Sequence, residues 1–154
     1  MDPLPDDLAT LWFLVRRVGS LMDRAGESLF RAGLGVSLSQ FLVLSVVDAH
    51  PGPLSQQAVA DRLGLTKGTV SRQIEHAIAA GLMSAEVSAH SRRENVLALT
   101  EAGTALVRRG DALFAEARAG IFGGIEPGRL AATNETLAGL SEALDRAVQG
   151  HGPA

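Results

Sequence analysis

The stretch from Ser55 to Leu82 constrains this chain more than any other, because its two apolar patterns are short and meet at a corner that only a few backbones can turn. Ser55 precedes Gln56-Gln-Ala-Val-Ala-Asp-Arg-Leu63, where Val59, Ala60 and Leu63 recur at helical spacing. Its hydroxyl suits an N-cap, since it can accept a hydrogen bond from a backbone N–H left free in the first turn. Gly64 follows, a residue without Cβ that tolerates positive φ at a tight corner, and Thr66 is placed to cap a second helix. In that second helix Val70, Ile74, Ala77 and Ile78 form one stripe, expected to be buried, and Gly68, Thr69, Arg72, Glu75 and His76 lie on the opposite face. Two helices crossing at a glycine corner, the second polar and mostly small on its outer face, make a helix-turn-helix.

The next segment extends the pattern. Leu82 to Val87 and Asn95 to Leu99 are apolar-rich runs separated by Ser88-Ala-His-Ser-Arg-Arg-Glu94. They predict a β-hairpin whose tip carries Arg92 and Arg93. Adjacent arginines on an extended loop beside a recognition helix suit a wing that reaches phosphates or the minor groove, where the negative potential favours Arg.

With these motifs in view, residues Leu38 to Leu106 resemble a MarR-family winged-helix transcription regulator. The resemblance rests on Leu38-Ser-Gln-Phe-Leu-Val-Leu44, His50-Pro-Gly52, Leu63-Gly-Leu-Thr-Lys-Gly-Thr-Val-Ser-Arg72, Gly81-Leu82, Arg92-Arg93 and Leu99-Thr-Glu-Ala-Gly103. Two positions depart from the family pattern. Ser91 stands where the family usually has an Asp that steadies the wing arginine, and Ala85 and Glu86 replace frequent basic residues. Both departures imply a wing that holds DNA less strongly, or is less ordered when free.

Charge has to be weighed by region. The whole chain carries 14 Lys and Arg against 17 Asp and Glu, a net −3, which taken alone disfavours a nucleic-acid partner. Residues 1–54 hold four basic against six acidic side chains, residues 101–154 hold five against seven, and residues 55–100 hold five against four. The positive third is the one that carries the helix-turn-helix and wing. The absence of cysteine excludes thiol redox sensing, disulfides and Cys-ligated metals. No run of about 18 apolar residues stands out, and the start Met-Asp-Pro-Leu-Pro-Asp-Asp is unlike a basic-then-apolar signal, so a soluble cytoplasmic protein is expected.

On either side lie apolar helices. Leu8, Leu11, Val15, Val18, Met22, Ala25 and Leu29 form a heptad-like seam in a helix from about Leu8 to Ala32, widened by Trp12, Leu14, Leu21 and Phe30. Gly33-Leu-Gly35 breaks it, and Ser37 or Ser39 can cap a helix from about Gln40 to Ala49, ended at His50-Pro-Gly-Pro53. Thr100 is expected to cap a further helix that carries Leu106, Val107, Leu113, Phe114, Ala117 and Ile121. Gly103, Gly110 and Gly120 within it hint at close packing or a bend, since each costs about 1 kcal/mol relative to Ala. After Gly123-Gly124, Pro127 suits the first turn of a last helix striped by Leu130, Leu137, Leu140, Leu144 and Val148.

The expected fold is mainly α with a small β-hairpin wing: a winged helix-turn-helix over residues 37–100, flanked by dimerisation helices in 1–36 and 101–154, in one compact domain. The resemblance implies a homodimeric, sequence-specific DNA-binding regulator, a repressor, on a near-palindromic operator. Ser55, Gln56, Gln57, Thr66, Lys67, Gly68, Thr69, Ser71, Arg72 and His76 are the expected DNA contacts, with Arg72 on a guanine edge and Arg92 and Arg93 in the wing. It also implies a small-molecule effector, often aromatic or phenolic, for which Trp12, Arg16, Arg17 and Phe41 are the expected pocket; Trp12 and Phe41 fit plain core as well. The competing function is a winged-helix protein-interaction or ligand-binding module with weak or no DNA binding. An enzyme is not expected: His50, His76, His90 and His151 have no metal-ligand spacing, no catalytic motif is present, and no cofactor or metal is implied.

Overall fold

The computed structural model describes residues 6–50, 52, 54–87 and 95–150. They form α1 (Asp6–Leu34), α2 (Leu38–Ala49), α3 (Gln56–Leu63), α4 (Lys67–Ala79), β1 (Met83–Val87), β2 (Asn95–Leu99), α5 (Glu101–Phe122) and α6 (Pro127–Gly150). The chain is mainly α with one antiparallel hairpin, and it divides within α5 into two compact units, Met1–Phe114 and Ala115–Ala154.

The first unit is built around α2, which is apolar on nearly every side and therefore has to be enclosed. It packs against α1, α3, α4 and β2. Val43, Leu44 and Val47 join Val59 and Ala60 of α3, Val70, Ile74 and Ala77 of α4, Met83 and Leu97 of the hairpin, and Val107 of α5 in one cluster. A fully enclosed Val or Leu contributes about 1.5–3 kcal/mol, so this cluster is the main source of stability in the unit. Phe30, Val36 and Phe41 form a smaller cluster, in which the Phe30 and Phe41 rings stack at 4.1 Å between centroids, and Leu106 packs on both clusters.

Hydroxyl caps set the helix starts. Ser37 Oγ accepts from the Gln40 amide at 3.1 Å, so α2 begins at Leu38, two residues before the predicted start. The Leu38 amide donates to Glu27 Oε2 at 2.8 Å, which joins α1 to the start of α2. That bond, assisted by Arg31, holds the Glu27 carboxyl below its ordinary pKa against the opposing effect of burial. Thr100 links the other end of the module: its hydroxyl donates to the Gly81 carbonyl at 2.6 Å and accepts from the Gly103 amide at 3.1 Å.

The close-packing expectation holds at two of three glycines. At Gly103 a Cβ would collide with the Leu82 carbonyl, and at Gly110 with the Phe41 ring, whereas nothing lies within 4 Å of the corresponding position at Gly120. Ile78 corrects the predicted α4 stripe: it is 41% exposed while Val70, Ile74 and Ala77 are buried. At about 100° per residue Ile78 lies roughly 70° round from the centre of those three, beside the packed face rather than on it.

The apolar seam of α1 is largely open, with Leu8, Trp12, Val15, Val18, Leu21 and Met22 all exposed, while Phe30 is core. In the second unit, α6 starts at Pro127 as expected, and Glu126 caps it by accepting from the Gly128 and Arg129 amides at 2.8 and 3.0 Å. No residue of α6 is buried, and Leu130, Leu137, Leu144 and Val148 are exposed. No single helix among the described residues is long and apolar enough to cross a membrane; α1 and α2 meet that length and composition only as a pair bent by 80°, with α2 enclosed in the core.

Candidate nucleic-acid interface

Helices α3 and α4 present the predicted site, and local chemistry sets their geometry. Ser55 Oγ accepts from the Ala58 amide at 3.1 Å and so starts α3. Gly64 ends it in the left-handed region at φ 62°, and the Leu65 amide donates to the Ala60 carbonyl at 3.0 Å across the corner. A side chain at Gly64 would be strained there by its own backbone. Thr66 Oγ1 then accepts from the Thr69 amide at 3.2 Å and shares a second hydrogen bond with the Thr69 hydroxyl at 2.9 Å. The turn is thus specified by three short-range contacts.

The core behind α4 decides which residues face out. With Val70, Ile74 and Ala77 sealed against α2 and α3, Lys67, Gly68, Arg72, Glu75 and His76 are exposed, and Thr69 and Ser71 are half-buried at the edges. Among the described residues Lys67 and Arg72 form no ion pair, so both cations are available to an anion from outside. The Ser71 hydroxyl is turned along the helix, donating to Glu75 Oε1 at 3.3 Å. On α3, Ser55 and Gln57 are exposed and Gln56 is half-buried. Gln57 Nε2 donates to Asp61 Oδ1 at 2.8 Å, so in this conformation that amide is engaged within its own helix.

The hairpin extends from the corner after α4. Met83 pairs with Leu99 and Val87 with Asn95. Met83 and Leu97 anchor it in the core, and Ser84, Ala85 and Glu86 are exposed. Arg92 and Arg93, expected at the wing tip, and Ser91 beside them lie outside the described residues.

The four residues expected to line an effector pocket lie on α1 and α2. Phe41 is 5% exposed and stacked on Phe30, Trp12 is 53% exposed, and Arg16 and Arg17 are exposed on α1. An open groove of about 760 Å³ runs between α1, the start of α2 and the α3–α4 corner. Asp23, Arg24, Glu27 and Arg31 line one side of it, and Leu42, Leu63 and Leu65 the other. The sequence signal for this groove is the charged row Asp23, Glu27, Arg31 at i, i+4, i+8 on α1, a row that the apolar seam overshadows.

Residues 34–94 match the model of the MarR family. Over this stretch the chain is similar to members of the MarR family. The matched segment begins at the end of α1 and contains α2, α3, α4 and β1, the elements that carry the candidate site. Solved structures extend the likeness to the flanking helices. A MarR family regulator from Streptomyces coelicolor, Sco3205, solved in complex with DNA, is 16% identical and superposes with a TM-score of 0.82 over 94% of this chain and 91% of its own. CouR from Rhodococcus jostii RHA1, solved with p-coumaroyl-CoA, is 23% identical with a TM-score of 0.77 over 85% of this chain and 91% of its own. MepR of S. aureus, solved with DNA, is 22% identical with a TM-score of 0.75 over 86% and 94%. At these identities the likeness defines a shared winged-helix fold.

Proposed function

We propose that this chain is a homodimeric, sequence-specific DNA-binding transcription regulator of the MarR family, acting as a repressor that a small effector releases. The observation that carries the reading is the outer face of α4: Lys67 and Arg72 exposed with no ion pair among the described residues, small polar residues around them, and a sealed core behind. A helix so presented suits the major groove, where its first turns reach base edges and phosphates.

Arg72 takes the guanine edge, since its planar fork matches O6 and N7. Thr66, Lys67, Gly68 and Thr69 meet the groove wall and phosphates, together with Ser55, Gln56 and Gln57 near the start of α3. His76 extends the exposed row, and Arg92 and Arg93 serve the wing.

Dimerisation is supported by the open apolar seam of α1 and the uncovered leucines of α6, since exposed patches of this kind mark contact surfaces. Two recognition helices related by a dyad read half-sites about 10 bp apart or multiples of that, which makes the operator near-palindromic. Effector release is supported by CouR, solved with p-coumaroyl-CoA, and by the groove between α1 and the α3–α4 corner of this chain. A ligand there acts only through a difference in affinity between two arrangements of the module.

The test is selection of bound sequences from random duplex DNA by the purified protein, beside Arg72→Ala, at two salt concentrations. A near-palindromic sequence enriched by the wild type, lost in Arg72→Ala and weakened by salt supports the reading. No enrichment by a folded dimer sinks it, and points to a winged-helix module for protein or ligand contact.

A further inference from the structure

The outer face of α4 also carries an anion. Glu75 lies three residues beyond Arg72 and next to His76, and like both it is exposed. No cation neutralises its carboxylate among the described residues: its partner there is the hydroxyl of Ser71, one turn earlier, which donates to Oε1 at 3.3 Å. Ser71 is half-buried at the edge of the packed face, so its hydroxyl gives the carboxylate a fixed point towards the N-terminal half of the helix.

On a surface that only collects phosphates, a carboxylate in this place is a handicap, because it repels the same backbone that Lys67 and Arg72 attract. Base edges in the major groove change its sign. Cytosine presents an N4 amino donor, whereas guanine presents the N7 and O6 acceptors and thymine the O4 acceptor, and adenine sets its N6 donor beside an acceptor. A carboxylate accepts and cannot donate, so cytosine alone offers it a donor without an adjacent acceptor on the same base. The reach is suitable: at about 1.5 Å per residue Glu75 stands roughly 4.5 Å beyond Arg72 along the helix axis. That is one to two base steps of about 3.4 Å.

We infer that Glu75, steadied by Ser71, is a specificity-determining residue that accepts a hydrogen bond from the N4 amino group of one cytosine in each half-site. The inference rests on the DNA-binding reading of the same face. Its larger effect is exclusion: opposite any other base the carboxylate gives up water to face an acceptor, and a mismatched sequence is rejected by repulsion as well as by a missing contact.

The experiment is parallel selection from random duplexes with wild type, Glu75→Gln, Glu75→Ala and Ser71→Ala, followed by affinity measurements on the selected duplex with each base pair in turn at every position. Circular dichroism and the urea midpoint establish that each variant is folded. Wild type is expected to prefer a C·G pair at one position per half-site by about tenfold. Glu75→Gln moves the preference at that position to A·T, because a carboxamide pairs with adenine N6 and N7. Glu75→Ala removes it while raising affinity for unrelated DNA, and Ser71→Ala keeps cytosine with smaller discrimination. Identical preferred sequences in wild type and both Glu75 variants, with affinity alone raised, overturn the inference and leave the regulator reading standing. A cytosine preference undiminished in Ser71→Ala overturns the steadying role of Ser71. A folded wild type that selects no sequence overturns both readings together.

Discussion

Helices α4 and α6 carry the same kind of apolar stripe and meet opposite fates. In α4, Val70, Ile74 and Ala77 are 0–3% exposed, sealed by α2 and α3. In α6, Leu130, Leu137 and Leu144 repeat every seven residues and each remains more than a third exposed. Helix α1 contains both conditions, with Phe30 in the core near its C-terminal end and Trp12 open near the other. Periodicity shows that a helix has an apolar face, and says nothing of what covers it. In this protein the covered faces support the α4 surface, and the uncovered ones are where a second copy is proposed to bind.

The largest test of that contrast pairs a sealed leucine with an open one. Leu44→Ala is expected to cost about 2–5 kcal/mol in urea unfolding at every protein concentration, because it leaves a cavity in a closed cluster. Leu137→Ala is expected to shift the midpoint only as self-association weakens, so its cost depends on protein concentration. An equal, concentration-independent loss at Leu137 would break the distinction. Next in size, Arg72→Ala should weaken binding to the selected operator by about 1–3 kcal/mol with no change in the unfolding midpoint, read by titration of labelled duplex.

Two glycines of α5 sharpen the same comparison. Gly103→Ala should destabilise by about 1–3 kcal/mol, since its Cβ meets the Leu82 carbonyl and backbone cannot move aside cheaply. Gly120→Ala has open space and should stabilise by roughly 0.5–1 kcal/mol, the ordinary gain of Ala over Gly within a helix. Thermal unfolding of the two variants checks the opposite signs.

The smallest effect is at Glu27, partly exposed where α1 meets α2. Its folded pKa is lowered, chiefly by the hydrogen bond from the Leu38 amide. The ionised form is the one that folding favours, so its contribution is present above the unfolded glutamate pKa and is lost as pH falls through the lowered folded value. Glu27→Gln should therefore unfold at slightly lower urea than wild type at neutral pH, with the difference closing in acid. A difference that persists unchanged in acid would remove the ionised carboxylate from the α1–α2 junction.

What was legible in the residues was short in range. Ser55, Thr66 and Thr100 were expected as caps and are caps, and of the two serines offered for α2 it is Ser37 that bonds its first turn. Gly64 turns the corner, and the hairpin pairs over nearly the predicted residues. Each of these is decided within about four residues, by a hydroxyl that finds a free amide or by a backbone that needs positive φ. Ile78 and Phe41 were less legible. Ile78 fits the stripe by spacing yet lies at its edge, and Phe41, offered as pocket lining or as core, is core because Phe30 of another helix stacks on it.

Residues close in the chain thus specified the elements, the caps at Ser55, Thr66 and Thr100, the helix-turn-helix corner and the side chains on the outer face of α4, though the Glu126 cap of α6 was not among those expected. Tertiary structure decided which apolar faces close. It brought Glu27 to the Leu38 amide and the Leu82 carbonyl to Gly103, and it opened a groove where α1 passes the α3–α4 corner. The physical reason is range: caps and turns depend on contacts a few residues apart, whereas burial depends on how helices cross, and a crossing is chosen by both surfaces together.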